Sequence, residues 1–244
     1  MRFLVLSDIH GNWEALDAVL GATRGQYDRV VCCGDLVGYG ADPDRVTDWV
    51  REHVYAVVRG NHDRACCGLD NLDWFNPIAR AAALWTQQTL SPENLAYLRE
   101  LPKGPAEAGN FAVVHGSPVD EDEYVVSVED ARTLAEYLPA ARCFFGHTHI
   151  QGAFEYVRQN VRAIRVSGGP AETWSLDNES WYLINPGSVG QPRDGDPRAA
   201  YALFDTDLDG LTLGRAEYDV EAAQHKIGAA GLPELLAIRL ATGE

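Results

Sequence analysis

The feature that most constrains the fold of this chain is a recurrence. Five short apolar runs each stop at a polar residue able to bind a cation or carry a proton. Arg2–Leu6 leads into Asp8-Ile9-His10, and Arg29–Cys33 into Gly34-Asp35. Val54–Val58 leads, one residue on, into Gly60-Asn61-His62-Asp63. Phe111–Val114 ends at His115-Gly116, and Arg142–Phe145 at Gly146-His147-Thr148-His149. Runs this short, rich in β-branched and aromatic residues, predict strands. Helix-like segments lie between them: Asn12–Ala22, with Trp13, Leu16, Val19 and Leu20 in helical register; Pro43–His53, with proline at its start; and Val128–Leu138. Strand–helix alternation of this kind predicts a layered α/β fold, in which sites assemble at the carboxyl ends of the strands.

The donors at those ends are imidazole nitrogens and carboxylate or amide oxygens, with no sulfur. In an extended chain residues i and i+2 share a face, so Asp8 with His10, and His147 with His149, are expected to enter one pocket in pairs. Five of the seven histidines lie in these motifs, while His53 and His225 do not. So many donors exceed what one small ion with open positions needs. They suit two divalent ions about 4 Å apart sharing a carboxylate. Mn, Fe, Zn, Co and Ni all accept such ligands; manganese is the first candidate.

Residues 64–105 break the alternation. Ile78–Leu90 and Pro92–Leu101 read as helices, with Ser91 an N-cap, and together they predict a helical insertion at about 64–105 in one domain spanning 1–244. Trp74, Phe75 and Trp85 within it are expected to pack. After residue 150 the texture turns to hairpins. Gly152–Arg158 with Val161–Val166, Thr173–Leu176 with Trp181–Ile184, and Ala200–Asp205 with Leu211–Tyr218 predict a second, mostly antiparallel sheet. Glu221–Gly228 and Pro233–Ala241 read as closing helices.

Composition removes several functions. A net charge of −16 repels nucleic-acid backbones and anionic membranes, so neither a nucleic-acid scaffold role nor a membrane partner is expected. Bound cations reverse that field locally, which leaves an anionic small-molecule substrate open. No apolar run approaches the roughly 20 residues that span a bilayer, and the start of the chain lacks a signal-peptide pattern. The five cysteines form no CxxC spacing and sit mostly in apolar runs, as reduced thiols of a cytoplasmic protein do. Oligomeric state has no signature in the sequence.

Taken in order, DIH, GDLVG, GNHD, VVHG and GHTH resemble the calcineurin-like metallophosphoesterases, in particular their bacterial and archaeal phosphodiesterase-like branch. The resemblance implies two packed mixed β-sheets flanked by helices, a four-layer architecture with a dinuclear metal site above the sheet edges. It implies that Asp8, His10, Asp35 and His149 hold one ion and Asp35, Asn61, His115 and His147 the other. A water bridging both ions would then attack phosphorus, with His62 serving the leaving oxygen and Asp63 orienting His62. The unperturbed pKa of histidine suits that role. Phosphoprotein phosphatases of this family carry an aspartate and an arginine where Gly38 and Tyr39 stand here. That difference favours phosphodiesters, phosphomonoesters or nucleotides as substrates. Diadenosine tetraphosphate hydrolases share the core motifs, and a non-catalytic protein-binding module on the same scaffold is the other alternative. In the loop Asn185–Arg193, the amides of Gly187–Gly190 are expected to form an anion-binding concavity, and Arg193 to grip a phosphate.

Overall fold

The computed structural model describes residues 1–244, the side chain of Trp74 excepted, so the packing expected of that residue lies outside the described residues. Strands β1 (Arg2–Leu6), β2 (Arg29–Cys32) and β3 (Val54–Val57) run parallel, joined through helices α1 (Trp13–Ala22) and α2 (Pro43–His53). Helix α3 (Asn61–Cys66) follows directly, and the 64–105 segment supplies α4 (Pro77–Thr89) and α5 (Pro92–Glu100). Ser91 caps α5 by accepting the Asn94 N–H at 3.3 Å. Strands β4 (Ala106–Ala108), β5 (Phe111–Val113) and β6 (Arg142–Phe144) come next, with α6 (Val128–Thr133) between the last two. The chain closes with β7 (Gly152–Val157), β8 (Asn160–Arg165), β9 (Ala171–Ser175), β10 (Trp181–Asn185), β11 (Ala199–Asp205), β12 (Gly210–Ala216), α7 (Val220–Ala229) and α8 (Glu234–Thr242).

These strands form two six-stranded mixed sheets, ordered β3-β2-β1-β11-β12-β9 and β4-β5-β6-β10-β7-β8. Period-two alternation divides each strand between two cores. Phe3 and Val5 of β1 face the second sheet, where they meet Phe111, Val113 and Phe144. Leu4 and Leu6 face outward onto Leu16, Val19, Val46 and Val50 of α1 and α2. On the far side Ala112, Cys143 and Phe145 pack against Ala131 and Leu134. The result is helix, sheet, sheet, helix. Phe111 anchors the middle, edge-on to Phe3, Phe144 and Phe204 with ring centroids 4.9–5.4 Å away.

Three expectations are corrected. The strands after residue 150 do not make a sheet of their own: β9, β11 and β12 complete the first sheet, while β7, β8 and β10 complete the second. The expected hairpin across Asp177-Asn178 is instead a crossover, since β9 pairs with β12 and β10 lies between β6 and β7. The physical reason is burial. Strand β10 is buried along four of its five residues and must sit inside a sheet, whereas β9 is nowhere buried and takes an edge. The buried Arg142 guanidinium fastens this crossover by donating to the carbonyls of Asp177 and Ser180. Helix α6 ends at Thr133, short of the predicted Leu138, while α3 and β4 had no counterpart in the prediction. No helix among the described residues is long and apolar enough to cross a membrane.

Candidate metal centre

The loops after β1, β2, β3, β5 and β6 converge at one end of the two sheets. Asp8, His10, Asp35 and His149 form one buried cluster whose donor atoms all lie within 4.8 Å of one another. Asp35, His115 and His147 form a second, so Asp35 belongs to both. Its Oδ2 is 3.6 Å from His10 Nε2 and 3.5 Å from His115 Nε2, and has no hydrogen-bond partner. Its Oδ1 accepts the His62 N–H at 2.9 Å. Asn61 Oδ1 lies 3.3 Å from His115 Nε2, which adds it to the second cluster.

The route to this convergence differs from the extended-chain expectation. Asp8, His10, Asp35, His147 and His149 all have positive φ, between 51° and 65°. Only three other non-glycine residues among those described do so: Tyr39, Arg158 and Asp209. Left-handed backbone costs a side-chain-bearing residue on the order of 1 kcal/mol or more, and persists where the surroundings over-determine it. Here hydrogen bonds between loops supply the constraint. Asp8 N donates to Gly34 O, His10 N to Asp35 O, and Gly190 N to Asp8 O, each at 3.0 Å. The two histidines of GHTH consequently enter different clusters.

Imidazole tautomers follow from the backbone. His10 Nδ1 faces Val37 O at 3.0 Å, His115 Nδ1 faces Cys33 O at 2.8 Å, and His149 Nδ1 faces Gln191 O at 2.5 Å. Each carbonyl fixes the proton on Nδ1 and leaves a lone pair on Nε2. His10 Nε2 and His149 Nε2 then face each other at 3.2 Å. Burial holds His10 and His149 far below the ordinary histidine range, so neither carries the second proton that would turn this approach into a hydrogen bond. His147 Nε2 is likewise buried without a partner. Burial also pushes the Asp8 carboxyl up to about 7 and Asp35 well above the carboxylate range. Two facing lone pairs beside the one orphaned carboxylate oxygen of the clusters, Asp35 Oδ2, fit divalent cations.

A family model, the calcineurin-like phosphoesterase superfamily domain, matches residues 1–209. The chain belongs to this superfamily. It is 36% identical over 247 positions to an uncharacterised protein of Methanocaldococcus jannaschii, covering 98% of this chain and 97% of that one. It is similar to the crystal structure of a metallophosphoesterase from Sphaerobacter thermophilus, with 41% identity, a TM-score of 0.88, and coverage of 100% and 99% of the two chains. A hypothetical protein from Pyrococcus horikoshii shares the fold at 20% identity, with a TM-score of 0.78 over 100% and 98%. Metal-dependent hydrolysis of phosphoesters is the activity of this superfamily, and the clustered aspartates and histidines are able to hold metal.

The remaining expected residues fall into place around the clusters. His62 is buried, its ring 4.3 Å from that of Tyr39, 5.0 Å from His10 and 5.4 Å from Phe75. Phe75 thereby brings the 64–105 segment to the site. The expected ordinary histidine pKa does not hold: burial, then Arg193 and His115, lower His62 to about 3, so it is neutral near pH 7. Asp63 bonds to backbone rather than to His62. Its Oδ1 accepts Leu36 N at 2.8 Å and Val37 N at 3.3 Å, and its Oδ2 accepts Gly60 N at 2.9 Å. At the expected anion concavity, Gly187–Gly190, three of the four amides already have protein partners: Gly187 N bonds Asn185 Oδ1, Val189 N bonds Ser7 O, and Gly190 N bonds Asp8 O. Arg193 does reach the site. Its guanidinium donates to Gln191 Oε1 at 3.0 Å and to Tyr39 OH at 3.4 Å, with Nε buried and free of protein partners.

Sequence reasoning missed Ser7, whose hydroxyl donates to Asp8 Oδ2 at 2.6 Å, and Asn185, whose amide donates to Gly146 O and Thr148 Oγ1. It also missed Tyr124, whose ring lies on His147 with centroids 3.9 Å apart. The glycines of the motifs were the available signal. A Cβ at Gly146 would stand 1.9 Å from Ser7 Oγ, and one at Gly190 would stand 1.9 Å from Ile9 O.

Proposed function

We infer that the chain is a phosphoesterase with two divalent cations, hydrolysing phosphodiester or phosphomonoester bonds of small molecules or nucleotides. The facing Nε2 lone pairs of His10 and His149 carry this reading, since a cation is what relieves them. Asp8, His10, Asp35 and His149 would hold one ion. Asp35, Asn61, His115 and His147 would hold the other. Bound there, the ions would supply Lewis acidity and lower the pKa of water to near neutral, with Mn first among the candidates.

The protein's own groups do the rest. Arg193 offers forked N–H donors to the phosphoryl oxygens. Water, its proton lost to solvent, adds to phosphorus; the bond from phosphorus to the leaving oxygen breaks, and that oxygen takes through His62 a proton that solvent replaces. As a neutral ring it gives one N–H, and an approaching phosphate anion favours its protonated form. Asp63 is a positioning residue that ties the GDLVG loop to the start of α3. Phe75 supports a capping role for the 64–105 helices within one 1–244 domain. Five free, buried thiols support a cytoplasmic setting.

The test uses metal-stripped protein reloaded separately with Mn, Ni, Co, Fe and Zn. Each sample is offered bis-p-nitrophenyl phosphate and p-nitrophenyl phosphate, with Asp35→Asn as control. Metal-dependent turnover lost in the control supports the reading, and the preferred ester separates diesterase from monoesterase. No turnover with any metal overturns it.

A further inference from the structure

A groove of about 650 Å³ opens beside the metal centre, and nothing in the hydrolytic machinery uses it. It begins where the site ends. Thr148 and Ile150, which alternate with the motif histidines, line one wall, and Val125–Val128 line the other. Tyr124, just before that wall, rests on His147 with its ring half exposed. Val126 and Ile150 are exposed at 58% and 43%. Phe154, buried, and Ala163, exposed, add apolar surface to the lining. Asp194, also in the lining, is held by protein: its Oδ2 takes the Gln151 N–H at 3.0 Å and an Arg215 N–H.

We propose that this groove seats the nucleoside portion of a phosphodiester substrate whose phosphate lies at the metal centre. The proposal rests on the hydrolase reading above. The volume falls within the roughly 300–1,000 Å³ of small-ligand pockets, far more than a phosphate or a methyl ester fills. Apolar walls suit the faces of a planar base, and Tyr124 offers an aromatic ring at the passage from phosphate to groove. Arg165, Ser167 and Glu172 in the lining offer the edge of a base both donors and acceptors. A lipid or other purely aliphatic ester would cover those groups without pairing them.

The experiment compares thymidine 5′-(p-nitrophenyl phosphate) with methyl p-nitrophenyl phosphate. The two share a leaving group, so their difference reads the other ester arm. The thymidine ester should lead by about tenfold or more in kcat/KM, through KM, the scale that stacking one base provides. Ala163→Trp fills the groove from β8 and should bring the ratio close to one. Val126→Asp, on the opposite rim, should lower it as well and serves if the first variant folds poorly. A second readout needs no turnover: saturation-transfer NMR with thymidine 5′-monophosphate should place the strongest transfer on the thymine protons, and Ala163→Trp should remove it. Equal turnover of both esters, with no thymine contact, would overturn the groove assignment and leave the hydrolase reading intact. Thymine contact without turnover of either ester would keep the groove and remove the hydrolase.

Discussion

Gly60→Ala adds one methyl group at the centre of the site. Gly60 has φ −102° and ψ 175°, extended backbone open to any residue, so the added carbon brings no dihedral strain. Its cost is contact. The new Cβ would lie 2.0 Å from Asp35 Oδ1 and 2.6 Å from both Asp35 Cγ and Asp35 N. Reaching even the closest real carbon–oxygen contact takes a shift of about 1 Å, and the backbone N cannot retreat, because it lies in the loop that anchors His10. The carboxylate must therefore move, breaking its 2.9 Å bond to His62 N and leaving the shared place between His10 and His115. Loss of that buried bond costs about 1–3 kcal/mol, or about 2–12 °C in Tm for a chain of this size. A displacement of about 1 Å at a reacting centre lowers the rate roughly hundredfold. Gly228→Ala is the control: it lies within α7 with nothing inside 4 Å of its added carbon, and should gain up to about 1 kcal/mol. Calorimetry, metal content by plasma emission and diester turnover read the three effects. Gly60→Ala protein with full metal content and a rate within about threefold of the parent would refute the argument from close approach.

Asp63→Ala orphans the amides of Leu36, Val37 and Gly60 and should cost about 3–6 kcal/mol in urea unfolding, while Asp63→Asn should cost less than half of that. His62→Ala should lower kcat by about 10²–10⁴ while metal content holds, as measured by steady-state rates beside elemental analysis; an unchanged kcat removes His62 from the chemistry. Arg193→Lys keeps the charge but loses the fork, so KM for the diester should rise several-fold with kcat less affected. Metal uptake should release protons. Burial holds the histidines neutral, so the protons come from carboxyls raised by burial, Asp8 with its pKa near 7 and Asp35 well above the ordinary carboxylate range. Raised carboxyl values mean protonated groups at low pH, so release should be largest near pH 6 and apparent affinity should climb as pH rises through about 7. Calorimetry in buffers of different ionisation enthalpy measures this, and a release independent of pH would count against it.

Much of the site was legible because each donor follows its own strand, and strands are short, apolar and bounded. What the sequence could not show was which sheet a strand joins. Thr173–Leu176 and Trp181–Ile184 look like two arms of a hairpin, yet they lie in different sheets. A turn signal such as Asp177-Asn178 marks a change of direction without naming the next neighbour. Burial on both faces, visible in the unbroken apolar run of β10, was the better guide.

The histidine pair of GHTH shows the same limit at the scale of single residues. Spacing of two in an extended chain argues for a shared direction into one pocket. Positive φ at His147 and at His149 breaks that geometry. No local propensity asks for left-handed histidines in succession. They are held by contacts far away in the chain: Asp8 accepts the His147 N–H, Gln191 O fixes the His149 ring, and Asn185 grips the Gly146 carbonyl and the Thr148 hydroxyl. Donor identity is therefore a property of the motif, whereas donor direction belongs to the loops that close around it. Asn185→Ala tests the distinction, because it leaves every donor in place. If direction depends on those remote bonds, the variant should lose metal affinity at least tenfold while the fold, followed by far-UV circular dichroism, persists. Affinity equal to the parent's would mean that the local sequence alone sets the geometry.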